Sequence, residues 1–141
     1  MDIPDSKWHE MHHVAVTAFI RKDNTFLIVK RSPSETAYPD KWAFVGGKLE
    51  RGETLMDTLK REVKEEVGLD IEDKKTFLFD YTFLRKDDVN VVGVTFLVNA
   101  KNSNVVISED FTDFKWITRE ELKNYDHIEG MDKQAELAFG V

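Results

Sequence analysis

The chain has no cysteine, which removes disulfides, thiolate nucleophiles and sulfur-ligated zinc or iron–sulfur centres in one step. It also lacks any apolar run approaching the ~20 residues of a membrane-spanning helix. Met1–Met11 carries Asp2, Asp5, Lys7 and Glu10 without the apolar stretch of a secretory signal, so a soluble, cytoplasmic protein is expected. Positive charge is in the minority: 20 Lys plus Arg stand against 27 Asp plus Glu, a formal net charge of −7. Such a field repels nucleic-acid backbone and anionic lipid, so neither nucleic acid nor membrane is an expected partner. What is present, 41% hydrophobic and 33% charged residues over 141 positions, suits one globular domain spanning 1–141.

Val14–Ile20 and Phe26–Val29 are rich in branched and aromatic residues and flank Lys22-Asp23-Asn24, which predicts a β-hairpin. Ser32–Asp40, with Pro33 and Pro39, reads as an exposed loop, and Trp42–Val45 as a short strand running into Gly46-Gly47. Thr54–Val67 carries the best helical pattern. Thr54 and Asp57 resemble a capping box, Leu55, Leu59, Val63 and Val67 fall four apart, and Gly68 sits where a C-terminal cap belongs. Phe77–Leu84 and Val89–Ala100 read as long strands around Lys86-Asp87-Asp88, with Gly93 marking a bulge or a close approach. Val105–Ile107 and Lys115–Ile117 are shorter strand candidates; Arg119–Tyr125 and Met131–Phe139 are expected helices. Strands, one strong helix, more strands and a terminal helix make an α+β domain with a mixed sheet.

On the central helix Glu62, Glu65 and Glu66 fall at i, i+3 and i+4, a single stripe beside the apolar arc. An acidic helix face is ordinarily a solvated surface. Here the crowding argues otherwise, because two carboxylates ~4 Å apart repel by about 4 kcal/mol at an effective dielectric of 20. A hard divalent cation with oxygen ligands relieves that repulsion. Ahead of the helix, Gly46-Gly47-Lys48-Leu49-Glu50-Arg51-Gly52-Glu53 is too glycine-rich for a strand interior and is expected to be a loop.

The spacing joins the two features. Gly47, five residues, Glu53, seven residues, then Arg61-Glu62-Val63-Lys64-Glu65-Glu66-Val67-Gly68-Leu69 resembles the Nudix hydrolase box GX5EX7REUXEEXGU at all nine specified positions, residues 47–69. The resemblance implies a Nudix-like α/β/α sandwich with a mixed β-sheet, cleaving a pyrophosphate bond in a nucleoside diphosphate linked to another group. By the same resemblance Glu62, Glu65 and Glu66, with the Gly46 carbonyl, would hold Mg²⁺ or Mn²⁺, while Gly47, Glu53 and Arg61 would brace the loop. Catalysis would fall to Glu65, Glu66 and Asp110, which stands six residues before Trp116 where mutator-type (MutT-like) members place a Glu. Arg31 and Lys48 would contact substrate. Tyr38, Trp42 and Phe44 are candidates for stacking on a base, although aromatics at strand ends are more often core. No cysteine serves an isoprenoid-diphosphate isomerase, and no proline follows the box as in many ADP-ribose hydrolases. The leading expectation is therefore a (d)NTP pyrophosphohydrolase releasing NMP and pyrophosphate. Nucleotide-sugar, ADP-ribose or dinucleoside polyphosphate hydrolysis is the alternative, and a non-catalytic nucleotide-binding regulatory module is a third reading. Homodimers are common among relatives, so a homodimer is a further expectation.

One competing string, His9-Glu10-Met11-His12-His13, satisfies the zinc-protease pattern HExxH. That chemistry requires both histidines on one helix face, and a strand is expected to begin at Val14.

Overall fold

The computed structural model describes residues 10–140. The expected hairpin forms from β1 (His13–Lys22) and β2 (Thr25–Arg31), but the two strands pair only at Arg21–Phe26 and Lys22–Thr25 before they diverge. The next stretch of chain fills the gap. β3 (Trp42–Ala43) pairs with β2, the chain passes Phe44, and β4 (Val45–Lys48) pairs antiparallel with β1 from Ala18–Val45 to Ala15–Lys48. Gly46 and Gly47 thus lie inside a strand, which corrects the expectation of a loop. The backbone approach explains the glycines: a Cβ on Gly46 would stand 2.5 Å from the Val16 carbonyl oxygen, closer than real side chains come.

α1 (Leu55–Val67) follows, closed at its start by a capping box between Thr54 and Asp57 and at its end by Gly68 in the left-handed region, φ 69°. β5 (Ile71–Leu84) and β6 (Asn90–Ala100) form the long antiparallel pair, with β5 beginning earlier than the apolar pattern suggests. β6 runs parallel to β1 from His13–Val91 to Arg21–Asn99, which makes the sheet mixed. Gly93 marks a close approach by a side chain: the Tyr81 ring lies across it from the paired strand. Val105–Ile107 forms no strand. Its backbone instead closes on the end of α1, Val106 N–H donating to Val67 O at 3.0 Å and Ser108 N–H to Glu66 O at 2.9 Å, so no ladder partner is left for it. β7 (Phe111–Ile117) pairs with β2, the helix expected over Arg119–Tyr125 forms as a 3₁₀ helix at Arg119–Asn124, and α2 (Met131–Ala138) is the last described element.

Alternation in β1 sorts the core into two layers. Val16, Ala18 and Ile20 face α1, where Leu59, Val63 and Val67 meet them and Val29, Val45 and Val98. Phe19 faces the other way and joins Phe26, Ile28, Met131, Ala135 and Ala138 under α2. One helix on each side of a mixed sheet gives the α/β/α arrangement. Trp42 belongs to the α2 layer, meeting Tyr125 edge-on at 5.1 Å, and Phe44 meets Phe19 in the same way at 5.1 Å. Of the three aromatic stacking candidates only Tyr38 stays in solvent, 57% exposed. His13 opens β1 and His12 precedes it in irregular chain, so this half of the HExxH string is not helical; His9 lies outside the described residues. No helix among the described residues is long and apolar enough to cross a membrane.

Candidate active site

The site grows from the meeting of β4 with α1. A Cβ on Gly47 would stand 2.2 Å from Glu62 Cδ, so only glycine lets this carboxylate lie against the strand. Arg61 organises the surrounding chain. Its Nε and Nη2 donate to Glu53 Oε2 and Oε1 at 2.7 and 2.9 Å, Nη2 also reaches Lys48 O at 3.0 Å, and Nη1 donates to Glu62 Oε1 at 2.7 Å. One guanidinium therefore ties the entry loop, the end of β4 and the helix together, in the forked geometry that suits Arg and carboxylate. Glu53 further accepts from the Glu50 amide at 2.9 Å and the Thr58 hydroxyl at 3.0 Å. The Arg61 hydrogen bonds hold the Glu53 carboxyl down to about 2, and Glu53 in turn raises the Arg61 guanidinium.

Glu66 lies one turn further along α1, and its surroundings push its carboxyl up to about 9. Burial is the largest cause, followed by the hydrogen bond and negative charge of Glu62 and then the charge of Asp110, while a backbone hydrogen bond from Gly46 works in the opposite direction. Two chain segments far apart in sequence thus supply acids to one place, α1 with Glu62 and Glu66 and the connection into β7 with Asp110. Glu65 differs from its neighbours: its side chain is 61% exposed and reaches only Arg61 Nη1, at 3.5 Å. Lys48 is exposed at the end of β4. As placed, no three His, Asp or Glu side chains among the described residues stand together at coordinating distance. The donor set nonetheless fits a hard cation, because the half-buried Glu66 carboxyl beside Glu62, with the negative charge of Asp110 also acting on it, is an all-oxygen set whose repulsion a divalent charge relieves.

Arg31 closes β2 beside this cluster. Its Nε donates to Ala37 O at 2.8 Å and its Nη2 meets Glu35 Oε2 at 3.3 Å, so these donors turn toward the 32–40 loop. The next residue, Ser32, donates its amide to Asp110 O at 2.9 Å. Sequence reasoning did not anticipate Glu35, Ala37 or Thr58 in these roles. The i, i+4 spacing of Arg31 and Glu35 was the available signal, and without a helix it carried no meaning.

Among models of protein families, the one described as NUDIX domain matches residues 11–137. The chain belongs to the Nudix hydrolase family. It is 32% identical to the nucleoside triphosphatase NudI of Escherichia coli O17:K52:H18 (strain UMN026 / ExPEC), in a match taking in 79% of this chain and 85% of that protein. A MutT NUDIX hydrolase from Burkholderia pseudomallei shares the fold with TM-score 0.76 at 21% identity, covering 91% of this chain and 98% of that one. An ADP-ribose pyrophosphatase from Streptococcus suis does so with TM-score 0.71 at 19% identity, covering 92% and 91%. Similar folds thus accompany differently named activities, and substrate must be argued from the site.

Proposed function

We propose that the protein hydrolyses a nucleoside triphosphate to NMP and pyrophosphate with Mg²⁺, or Mn²⁺ in its place. The observation that carries this reading is Glu66, half-buried beside Glu62 and the Gly46 backbone, with the charge of Asp110 near enough to act on it. Glu62 and Glu66, with the Gly46 carbonyl, would hold the cation, and Glu65 and Asp110 would be the acids left free to act beside it. When bound, a divalent cation lowers the pKa of water and offsets phosphate charge during in-line attack. The chain's own groups do the rest. Glu53 and Arg61 fix β4 against α1, so the Gly46 carbonyl and Glu62 keep their relative positions. Lys48 offers its ammonium to the phosphates. The proton lost by the attacking water passes to Glu65 or Asp110, the carboxylates that solvent reaches. A chain of net charge −7 then meets an anionic substrate whose charge the cation partly neutralises.

The similarity to a protein named nucleoside triphosphatase supports this substrate class over nucleotide sugars, ADP-ribose and dinucleoside polyphosphates. Product analysis over dNTPs, oxidised dNTPs and those three groups, with Mg²⁺ and with Mn²⁺, tests it. NMP and pyrophosphate from a triphosphate are expected. Faster cleavage of a sugar- or nucleoside-capped diphosphate would reassign the substrate, and tight binding with no product would mark a regulatory module.

A further inference from the structure

We infer that Arg31 is a positioning residue, whose guanidinium fastens the 32–40 loop so that Tyr38 is presented to the base of the nucleotide. The inference rests on the function proposed above and deepens it. The loop leaves and re-enters the sheet at one point, since the Arg31 amide donates to Lys41 O at 2.9 Å. It starts beside the acidic cluster, because Ser32 donates to Asp110 O at 2.9 Å. Within it, Arg31 Nε holds the Ala37 carbonyl at 2.8 Å and Nη2 holds Glu35 at 3.3 Å. The arginine side chain is only 25% exposed, so its donors on Nε and Nη2 are turned inward to the loop.

Immediately after the clamped Ala37 comes Tyr38, 57% exposed and with φ at 50°. A bulky residue rarely adopts this left-handed conformation, and such strain persists only where the surroundings impose it. Here the imposing contacts are the Arg31 bond to Ala37 O and the amide of Lys41 donating to Tyr38 O at 3.3 Å. The result is an aromatic ring held in solvent by a loop rooted next to the acids, a surface on which any base can stack. Phosphate contact by Arg31 would use the same guanidinium as a free cation, and the two roles separate experimentally.

The test uses the full chain and the variants Arg31→Lys, Arg31→Ala, Glu35→Ala, Tyr38→Ala and Tyr38→Phe. Hydrogen exchange reads the clamp without any substrate. Arg31→Lys should speed exchange of the Glu35 and Lys41 amides at least about tenfold while α1 keeps its protection, and Glu35→Ala should act in the same direction. In nucleoside triphosphate hydrolysis, Arg31→Lys and Tyr38→Ala should each raise KM roughly five- to 150-fold with little change in kcat. The double variant should be no worse than either alone, and Tyr38→Phe should keep the wild-type KM. Inhibition by inorganic tripolyphosphate, which has phosphates and no base, should be unchanged in Arg31→Lys and Arg31→Ala. Unaltered loop exchange in Arg31→Lys, or weaker tripolyphosphate inhibition in either Arg31 variant, would overturn the positioning role. A wild-type protein that hydrolyses no nucleotide would remove the proposed function and with it the presentation of Tyr38, while the exchange result would still decide the clamp.

Discussion

Replacing Gly47 with alanine places a methyl carbon 2.2 Å from both Cδ and Oε1 of Glu62 and 2.6 Å from Oε2. Ordinary contact needs well over 3 Å, so one group must move. The backbone here is a strand paired with Val16 of β1, which leaves the Glu62 side chain to yield. That side chain is only 15% exposed and is held by Arg61 Nη1 at 2.7 Å, so displacement breaks a charge-assisted hydrogen bond and moves a proposed ligand. Overpacking of this kind costs about 1–3 kcal/mol. If that cost falls on the cation-bound arrangement, the Mg²⁺ concentration for half-maximal rate rises roughly five- to 150-fold. The assay is initial rate against Mg²⁺ for wild type and Gly47→Ala. Gly52→Ala is the control: its φ is 82° with nothing within 4 Å of an added Cβ, so it loses about 1–2 kcal/mol of stability to backbone strain and keeps its Mg²⁺ dependence. A Gly47→Ala protein with wild-type stability and wild-type half-saturation would mean that the Glu62 carboxylate does not need glycine beside it.

Two further outcomes follow from the same contacts. The Glu53 carboxyl is held at about 2, below its ordinary value near 4.5. The folded state therefore binds fewer protons than the unfolded state between those values, and the pair's stabilisation is full above pH ~4.5 and is lost as pH falls toward 2. Urea unfolding should show Glu53→Gln less stable than wild type at pH 7, with the gap narrowing at pH 3; a gap independent of pH would contradict the pairing. Leu59, 1% exposed between α1 and the sheet, should cost about 2–5 kcal/mol as Leu59→Ala, and a loss under 1 kcal/mol would mean that α1 is not packed as described.

Much of the site was legible because its main parts are consecutive. The cap at Thr54, the apolar stripe, the acids and Gly68 all belong to one helix, whose period fixes which side chains share a face. What sequence reading missed lies between elements. Gly46-Gly47 looked unsuited to a strand because the reason for glycine is the Val16 carbonyl and the Glu62 carboxylate packed against it, neither of them a local signal. Val105–Ile107 looked like a strand by composition, yet the end of α1 takes up its backbone hydrogen bonds. The parallel pairing of β1 with β6 joins segments more than seventy residues apart, and the same long-range closure brings Asp110 to Glu66. The aromatic residues divide for the same reason: burial under α2, which composition does not reveal, takes Trp42 and Phe44 and leaves Tyr38.

In the proposed mechanism the half-buried Glu66 carboxylate helps hold the cation that hydrolysis requires. Glu66→Gln preserves shape and removes the ionisable oxygen, so its turnover of a nucleoside triphosphate at saturating Mg²⁺ isolates that role. At neutral pH and without added cation, the variant should be at least as stable as wild type, because wild type must take up a proton at Glu66, whose carboxyl is raised from about 4.5 to about 9, in order to fold, and glutamine need not. Its rate should fall by at least about a hundredfold. A folded Glu66→Gln protein with near-wild-type turnover would mean that Glu66 does not hold the catalytic cation.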